Sequence, residues 1–143
     1  MKIGSISENK NIEKRIAITP EIVKKYSSLG FEIYLIENYG SHLGIKDEEY
    51  IQMGAKILKV ESEILNSSDI IIQLGMLSED KISSLKENQI YIGVLNPYEN
   101  KEKLQNLVKK KINSFSLELL PRITRAQSMD ILSSQANLAG YKA

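Results

Sequence analysis

The sequence predicts an α/β fold: a three-layer sandwich with a mostly parallel sheet, in a flavodoxin-like arrangement, with a long C-terminal connecting helix. β-rich runs alternate with helical segments along the chain, which favours parallel strand pairing. Two of these runs, residues 69–74 and 89–95, are almost continuously apolar, as is typical of strands buried on both faces. The 143 residues are enough for one domain with its own core.

The first half of the chain contains three short strands, each followed by a helix. Thr19 is suited to cap the first helix, Pro20 suits its first turn, and Gly30 is suited to end it. Gly54 is placed to end the second helix in the same way. The predicted strands are residues 2–7, 31–37 and 56–60, and the predicted helices are residues 20–29, 47–53 and 61–66.

The second half repeats the alternation. Its predicted strands are residues 69–74, 89–95 and 112–119, and its predicted helices are residues 78–86, 99–110 and 125–143. In a parallel sheet the loops beyond the carboxyl ends of the strands share one edge, where function gathers. We therefore expect four loops near that edge: residues 7–15, 38–44, 75–78 and 120–127.

Composition narrows the possible functions. Nineteen basic and eighteen acidic residues give a net charge of +1, which argues against nucleic-acid binding. The absence of cysteine excludes disulfides and thiolate ligands, and with a single histidine we expect no metal site. No apolar stretch approaches the roughly 20 residues that span a bilayer, so we expect a soluble, intracellular protein that does not itself enter a membrane.

Two familiar nucleotide-binding motifs are absent from the sequence. Neither a G-x-G-x-x-G loop nor a G-x-x-x-x-G-K-[ST] loop occurs anywhere in the chain. Any contact with a nucleotide must therefore use something other than a glycine-rich phosphate loop.

Arg15 and His42 are candidate polar groups in the loops. Arg15 could clamp a carboxylate or phosphate, or it could pair with Glu13 or Glu37 and brace its loop. The pattern does not decide between these alternatives. His42 has no carboxylate pair near it in sequence, which favours a surface or loop-packing role.

The C-terminal segment is the hardest part of the sequence to explain by folding alone. It places Arg122, Arg125, Gln127 and Asp130 within nine residues. In a helix starting near residues 124–127, Gln127 and Asp130 would share a face with Ser134 and Asn137. Asp130 would then hold an arginine head and an amide would orient a ligand, whereas the simpler alternative is a capped helix with a surface ion pair.

A family resemblance adds to this interpretation. Residues 121–134, PRITRAQSMDILSS, followed by the AGY of residues 139–141, resemble the signature of the alpha subunit of proton-translocating NAD(P) transhydrogenases. Residues 2–4 (KIG), 13–17 (EKRIA) and 19–20 (TP) resemble the opening that this subunit shares with alanine dehydrogenases. The chain is thereby identified as a member of the alanine dehydrogenase/transhydrogenase N-terminal family.

The resemblance implies a division of labour between domains. Residues 1–143 would be a single domain, the N-terminal half of an NAD(H)-binding unit. The helix at residues 125–143 would lead toward a Rossmann domain that carries the glycine loop. The complete protein would transfer hydride from NADH to NADP+ bound on a partner subunit, coupled to proton translocation by other subunits. It would be a homodimer at the cytoplasmic face of the membrane, and the isolated chain is expected to be inactive.

The resemblance also assigns roles to residues. Arg122 and Ser133 would address the nicotinamide carboxamide, Asp130 would orient Arg122, and Gln127 would point toward the partner nucleotide. No acid or base is needed, because the hydride moves directly between two rings.

Two alternatives are kept. An alanine dehydrogenase-like domain would use Arg15 together with a lysine and a histidine, but the matching positions hold Gln73 and Asn96. A catalytically idle module for dimerisation or partner binding is suggested by the small residues of the last helix.

Overall fold

The described residues of the chain form one six-stranded parallel sheet with helices on it, which confirms the predicted fold class. The structure is a computed structural model that describes residues 1–121 and 123–142, except for the side chain of Ser134. The strands are β1 Lys2–Ser5, β2 Glu32–Ile36, β3 Ala55–Leu58, β4 Ile70–Ile72, β5 Ile90–Gly93 and β6 Asn113–Ser116.

The strand order is β3-β2-β1-β4-β5-β6, and the direction of winding reverses between β1 and β4. A flavodoxin-like sheet has the order 2-1-3-4-5, whereas the order 3-2-1-4-5-6 belongs to the doubly wound dinucleotide-binding arrangement. The predicted flavodoxin-like arrangement therefore needs one correction. The third strand extends the first side of the sheet before the chain crosses back, which moves the reversal to β4.

The helices are α1 Pro20–Ser28, α2 Asp47–Gln52, α3 Glu61–Ser67, α4 Glu79–Ser83, α5 Lys101–Lys109 and α6 Ile131–Lys142. α1 contacts α2, and α4 contacts α5. Since parallel crossovers are right-handed, the reversal of winding sends α1 and α2 to one face and α3 to α5 to the other. The result is the three-layer arrangement.

The centre of the sheet holds the core. Ile3 of β1 pairs with Ile33 of β2 on one side and with Ile70 of β4 on the other. Ile33, Ile71 of β4 and Tyr91 of β5 are completely buried. Each such side chain stabilises the fold by about 1.5–3 kcal/mol relative to an exposed one.

Two elements of the second half are shorter than predicted. β6 ends at Ser116, and Leu117–Leu119 form a 3-10 turn that the sequence predicted as strand. Helix α4 ends at Ser83, because the hydroxyl of Ser83 bonds back to the carbonyl of Asp80. The Lys110 ammonium then binds the carbonyl oxygens of Ser83 and Leu85 beyond that helix end.

The last helix begins later than predicted. It covers Ile131–Lys142, whereas the sequence predicted a helix over residues 125–143. The residues Gln127–Met129 form a separate 3-10 turn, and Asp130 has an extended backbone between the two. The Asp130 carboxylate accepts hydrogen bonds from the first turn of α6, which makes it the capping residue and sets the start of the helix.

Candidate functional site

The segment that follows β6 forms an open concavity of about 380 Å³. We call residues 120–133 the site segment. Three of the predicted site residues, Gln127, Asp130 and Ser133, line this concavity together. The full lining consists of Ile123, Thr124, Gln127, Asp130, Leu132, Ser133 and Ala136.

Asp130 organises the polar side of the concavity. Its Oδ1 accepts the backbone N–H of Leu132 at 2.9 Å and that of Ser133 at 3.4 Å. Its Oδ2 accepts the Ser133 hydroxyl at 2.6 Å. One carboxylate thus caps α6 and orients a second site residue.

The predicted helical face is wrong in its geometry. Gln127 and Asp130 were expected on one face of a continuous helix with Ser134 and Asn137. Because the helix is interrupted at Asp130, Gln127 instead meets Asp130 across the junction of the 3-10 turn and α6. Arg122 and the side chain of Ser134 lie outside the described residues, and Arg125 and Asn137 are exposed.

A second polar group lies at the carboxyl ends of β1 and β4, where the winding reverses. The Gln73 side chain is 3% exposed, and its Oε1 accepts the Ser5 hydroxyl at 2.9 Å and the Ile6 N–H at 2.8 Å. The hydroxyls of Ser5 and Tyr39 are 2.8 Å apart. Since Ser5 gives its single hydrogen to Gln73, the Tyr39 hydroxyl is the donor to Ser5.

The same network holds the loop after β1. Glu8 Oε1 accepts the Leu74 N–H at 2.6 Å and the Gln73 Nε2 at 3.1 Å. The Tyr39 hydroxyl accepts the backbone N–H of Ala17 at 3.1 Å and that of Ile18 at 3.3 Å. Burial raises the pKa of the Glu8 carboxyl, and the N–H groups of Leu74 and Gly75 oppose that rise. The protein's own groups therefore fill the crevice in which doubly wound sheets often bind ligands.

Arg15 and His42 both brace this loop. Arg15 forms an ion pair with Glu13 at 2.6 Å, which resolves the alternatives in favour of bracing and lowers the pKa of the Glu13 carboxyl. His42 Nε2 lies 2.7 Å from the carbonyl oxygen of Lys14, so the expected loop-packing role is confirmed.

The Ser5–Gln73 network was not predicted from the sequence. Its members are up to 68 residues apart in the chain, and none belongs to a motif. The available signal was the one glutamine in an otherwise apolar run at residues 70–74, because a buried amide needs partners.

Glu8→Gln is expected to change how stability depends on pH. The folded-state pKa of Glu8 lies above its ordinary value of 4.5, so the protonated form favours folding. That contribution is complete below about pH 4.5 and is lost as the pH rises through the raised pKa. The unfolding free energy of the parent should therefore fall relative to Glu8→Gln as the pH rises from about 4.5 toward neutrality, in urea titrations.

Glu13→Gln is the matched control for this experiment. The pKa of Glu13 is lowered by Arg15, so its contribution has the opposite sign and is lost as the pH falls below the ordinary value. A difference between the parent and Glu8→Gln that stayed constant across the pH range would contradict the burial of the Glu8 charge.

The fold and the site define a doubly wound α/β domain whose concave site follows the last parallel strand. The profile of the family described as "Alanine dehydrogenase/PNT, N-terminal domain" matches residues 4–139. The chain belongs to this family, as its sequence resemblance predicted.

Individual relatives narrow the similarity within the family. The first portion of the NAD(P) transhydrogenase subunit alpha of Rickettsia prowazekii, a protein in its own right, is 42% identical over 147 residues, covering 100% of this chain and 38% of the relative. The solved structure of a transhydrogenase from Sinorhizobium meliloti superimposes with a TM-score of 0.92 at 37% identity, covering 100% of this chain and 42% of that one. This chain thus spans about two fifths of the length of each.

Alanine dehydrogenases are more distant. The enzyme of Methanococcus maripaludis is 31% identical over 140 residues, covering 98% of this chain and 37% of the relative. Transhydrogenase subunits are therefore the favoured relatives. Across residues 1–121 and 123–142, the structure contains no helix with the length and apolar character needed to cross a membrane.

Proposed function

We propose that this chain is the N-terminal half of the NAD(H)-binding unit of a transhydrogenase that moves hydride between NADH and NADP+, coupled to proton translocation. The observation that carries the proposal is the meeting of Gln127, Asp130 and Ser133 at one concavity. Its support outside the site is the similarity to transhydrogenase alpha subunits along the whole chain.

The concavity suits a nicotinamide ring with its carboxamide. Ile123, Leu132 and Ala136 supply an apolar side, whereas Gln127 and Asp130 supply amide and carboxylate groups. Pockets for small ligands combine a mostly apolar lining with a few convergent polar groups, and the volume falls within their range. When bound, the nicotinamide would supply the hydride, and the residues of this chain would position the ring.

Asp130 and Ser133 would act as a pair. The Ser133 hydroxyl donates to Asp130 Oδ2, which leaves the lone pairs of its oxygen available to accept from an amide N–H group. The Asp130 carboxylate is held by the backbone of α6, so it would provide a fixed negative charge to orient the guanidinium of Arg122.

Gln127 would serve the other side of the transfer. It lies in the 3-10 turn before α6 and lines the open concavity, so its amide can face a second nucleotide presented from outside. That partner would carry NADP(H), and a glycine-rich Rossmann domain would supply the phosphate contacts that this chain lacks. The assembled protein would be a homodimer at the cytoplasmic face of the membrane, attached through its other subunits.

Asp130→Asn tests the proposal in a chimera. Residues 1–143 would replace the matching segment of the Rickettsia prowazekii relative, which would be combined with its other subunits and assayed for hydride transfer from NADH to an NADP+ analogue. The parent chimera should transfer hydride. Asp130→Asn should lower the rate about 100-fold, because the charge that orients the site is lost.

The substitution separates the charge from the cap. Asparagine still accepts the N–H groups of Leu132 and Ser133, so the unfolding free energy should change by less than about 1 kcal/mol. Asp80→Asn, in the exposed first turn of α4, is the matched control and should leave transfer unchanged. A chimera without activity would overturn the function, and one indifferent to Asp130→Asn would overturn the site.

A further inference from the structure

Glu118 ties the start of the site segment to the sheet. We infer that it is a positioning residue for the reaction, because it sets where the site segment leaves the domain. This role rests on the proposed function, and it depends on two hydrogen bonds that the sequence does not reveal.

Both carboxylate oxygens of Glu118 bind the backbone at the end of β5. Oε1 accepts the Asn96 N–H at 2.5 Å, and Oε2 accepts the Leu95 N–H at 3.3 Å. Hydrogen bonds from backbone N–H groups to an ionised carboxylate are among the stronger ones in proteins. The half-buried Glu118 therefore clamps the turn after β6 to the neighbouring strand.

The receiving end of this clamp is rigid. Leu95 is 1% exposed and belongs to the hydrophobic core. Asn96 has a φ of 44°, a left-handed conformation that asparagine tolerates better than most residues. The Asn100 side-chain amide donates to the carbonyl oxygens of Leu95 and Asn96 at 2.9 and 3.3 Å, which fixes the peptide units that the carboxylate grips.

The other end of the clamp leads directly into the site. Glu118 is the middle residue of the 3-10 turn Leu117–Leu119, and this turn contacts α6. Asp130 caps α6 and lines the concavity, so a displacement of the turn would be passed on to the site residues. Most of the site segment is exposed to solvent, with Ala126 buried at 4%, so few core contacts would resist such a displacement.

The geometry calls for a carboxylate in particular. Two backbone N–H groups point at two oxygens, and a glutamine offers one acceptor while its NH₂ group faces the second donor. Glu118→Gln should therefore keep part of the clamp, whereas Glu118→Ala should remove it.

Hydrogen exchange on the 143-residue chain measures the clamp without any assay of activity. In Glu118→Ala we expect exchange at the amides of Asn96 and of residues 117–133 to rise about tenfold or more, while Ile33 and Leu35 at the centre of the sheet keep their protection. Glu118→Gln should show a smaller rise at the same amides. Glu102→Ala, which removes an exposed carboxylate from α5, should change neither group.

Hydride transfer in the chimera then tests the consequence for the reaction. The rate should fall about 10- to 100-fold in Glu118→Ala and less in Glu118→Gln, in the order of the exchange rates, because a shift of about 1 Å can cost that much. Should Glu118→Ala fail to fold, the partial loss in Glu118→Gln decides the question.

The outcomes separate the two proposals. An active parent chimera with unchanged transfer in both variants would overturn the positioning role alone. Unchanged exchange at residues 117–133 would overturn the clamp. An inactive parent chimera would overturn the proposed function and with it the positioning role, while the exchange data would still report whether the clamp exists.

Discussion

Replacing Gln73 by leucine is expected to lower the free energy of unfolding by about 3–5 kcal/mol. The amide oxygen serves the Ser5 hydroxyl and the Ile6 N–H, and the amide nitrogen serves Glu8. Leucine has a similar volume but leaves these buried groups without their partner, and each such loss costs about 1–3 kcal/mol. Urea titration at neutral pH would measure the effect.

Gln105→Leu is the matched control for this substitution. Gln105 is exposed on α5, so the same exchange of side chains should change the stability by less than about 0.5 kcal/mol. A loss at Gln73 no larger than the loss at Gln105 would show that the network contributes nothing to stability.

Gly93→Ala is expected to destabilise the domain by about 3 kcal/mol. A Cβ atom at this position would lie 2.5 Å from the backbone carbonyl oxygen of Gln73. The clash is with backbone in the neighbouring central strand, so relief requires β4 or β5 to move. That movement would also displace the Gln73 side chain from Ser5 and Ile6, which adds to the cost.

Thermal and urea unfolding of Gly93→Ala would be compared with Gly140→Ala. Gly140 lies in α6, and a Cβ added there meets no atom within 4 Å. The control should be unchanged or more stable by up to about 1 kcal/mol, since alanine favours helix over glycine. Equal stabilities of the two variants would contradict the close approach of β4 and β5.

The sequence predicted the secondary structure well where local signals are strong. The apolar run at residues 69–74 predicted β4, and Thr19, Pro20 and Gly30 predicted the limits of α1. The start of α6 was misplaced because Asp130 satisfies the helix with its side chain, and that choice competes with simply extending the helix backward. The strand order was also outside local reach, since it depends on which face the chain takes at the crossover from β3 to β4.

The candidate site was predicted in part. Family resemblance directed attention to Gln127, Asp130 and Ser133, and the structure brings these three to one concavity. The periodicity argument placed Gln127 and Asp130 on a single helical face, which was wrong because it assumed one uninterrupted helix. The contacts of Glu118 could not be foreseen, because they join the ends of two strands whose approach is a property of the sheet.

The strand order has a consequence for the way in which the chain emerges during synthesis. β1, β2 and β3 can pair as soon as the first 58 residues are available, but β1 then has an open edge until β4 arrives. An unpaired edge next to Ile3 and Gly4 is a template for pairing with other chains. The crossover through α3 closes that edge, so the interval before residue 72 emerges is the period in which the nascent protein is most exposed to mispairing.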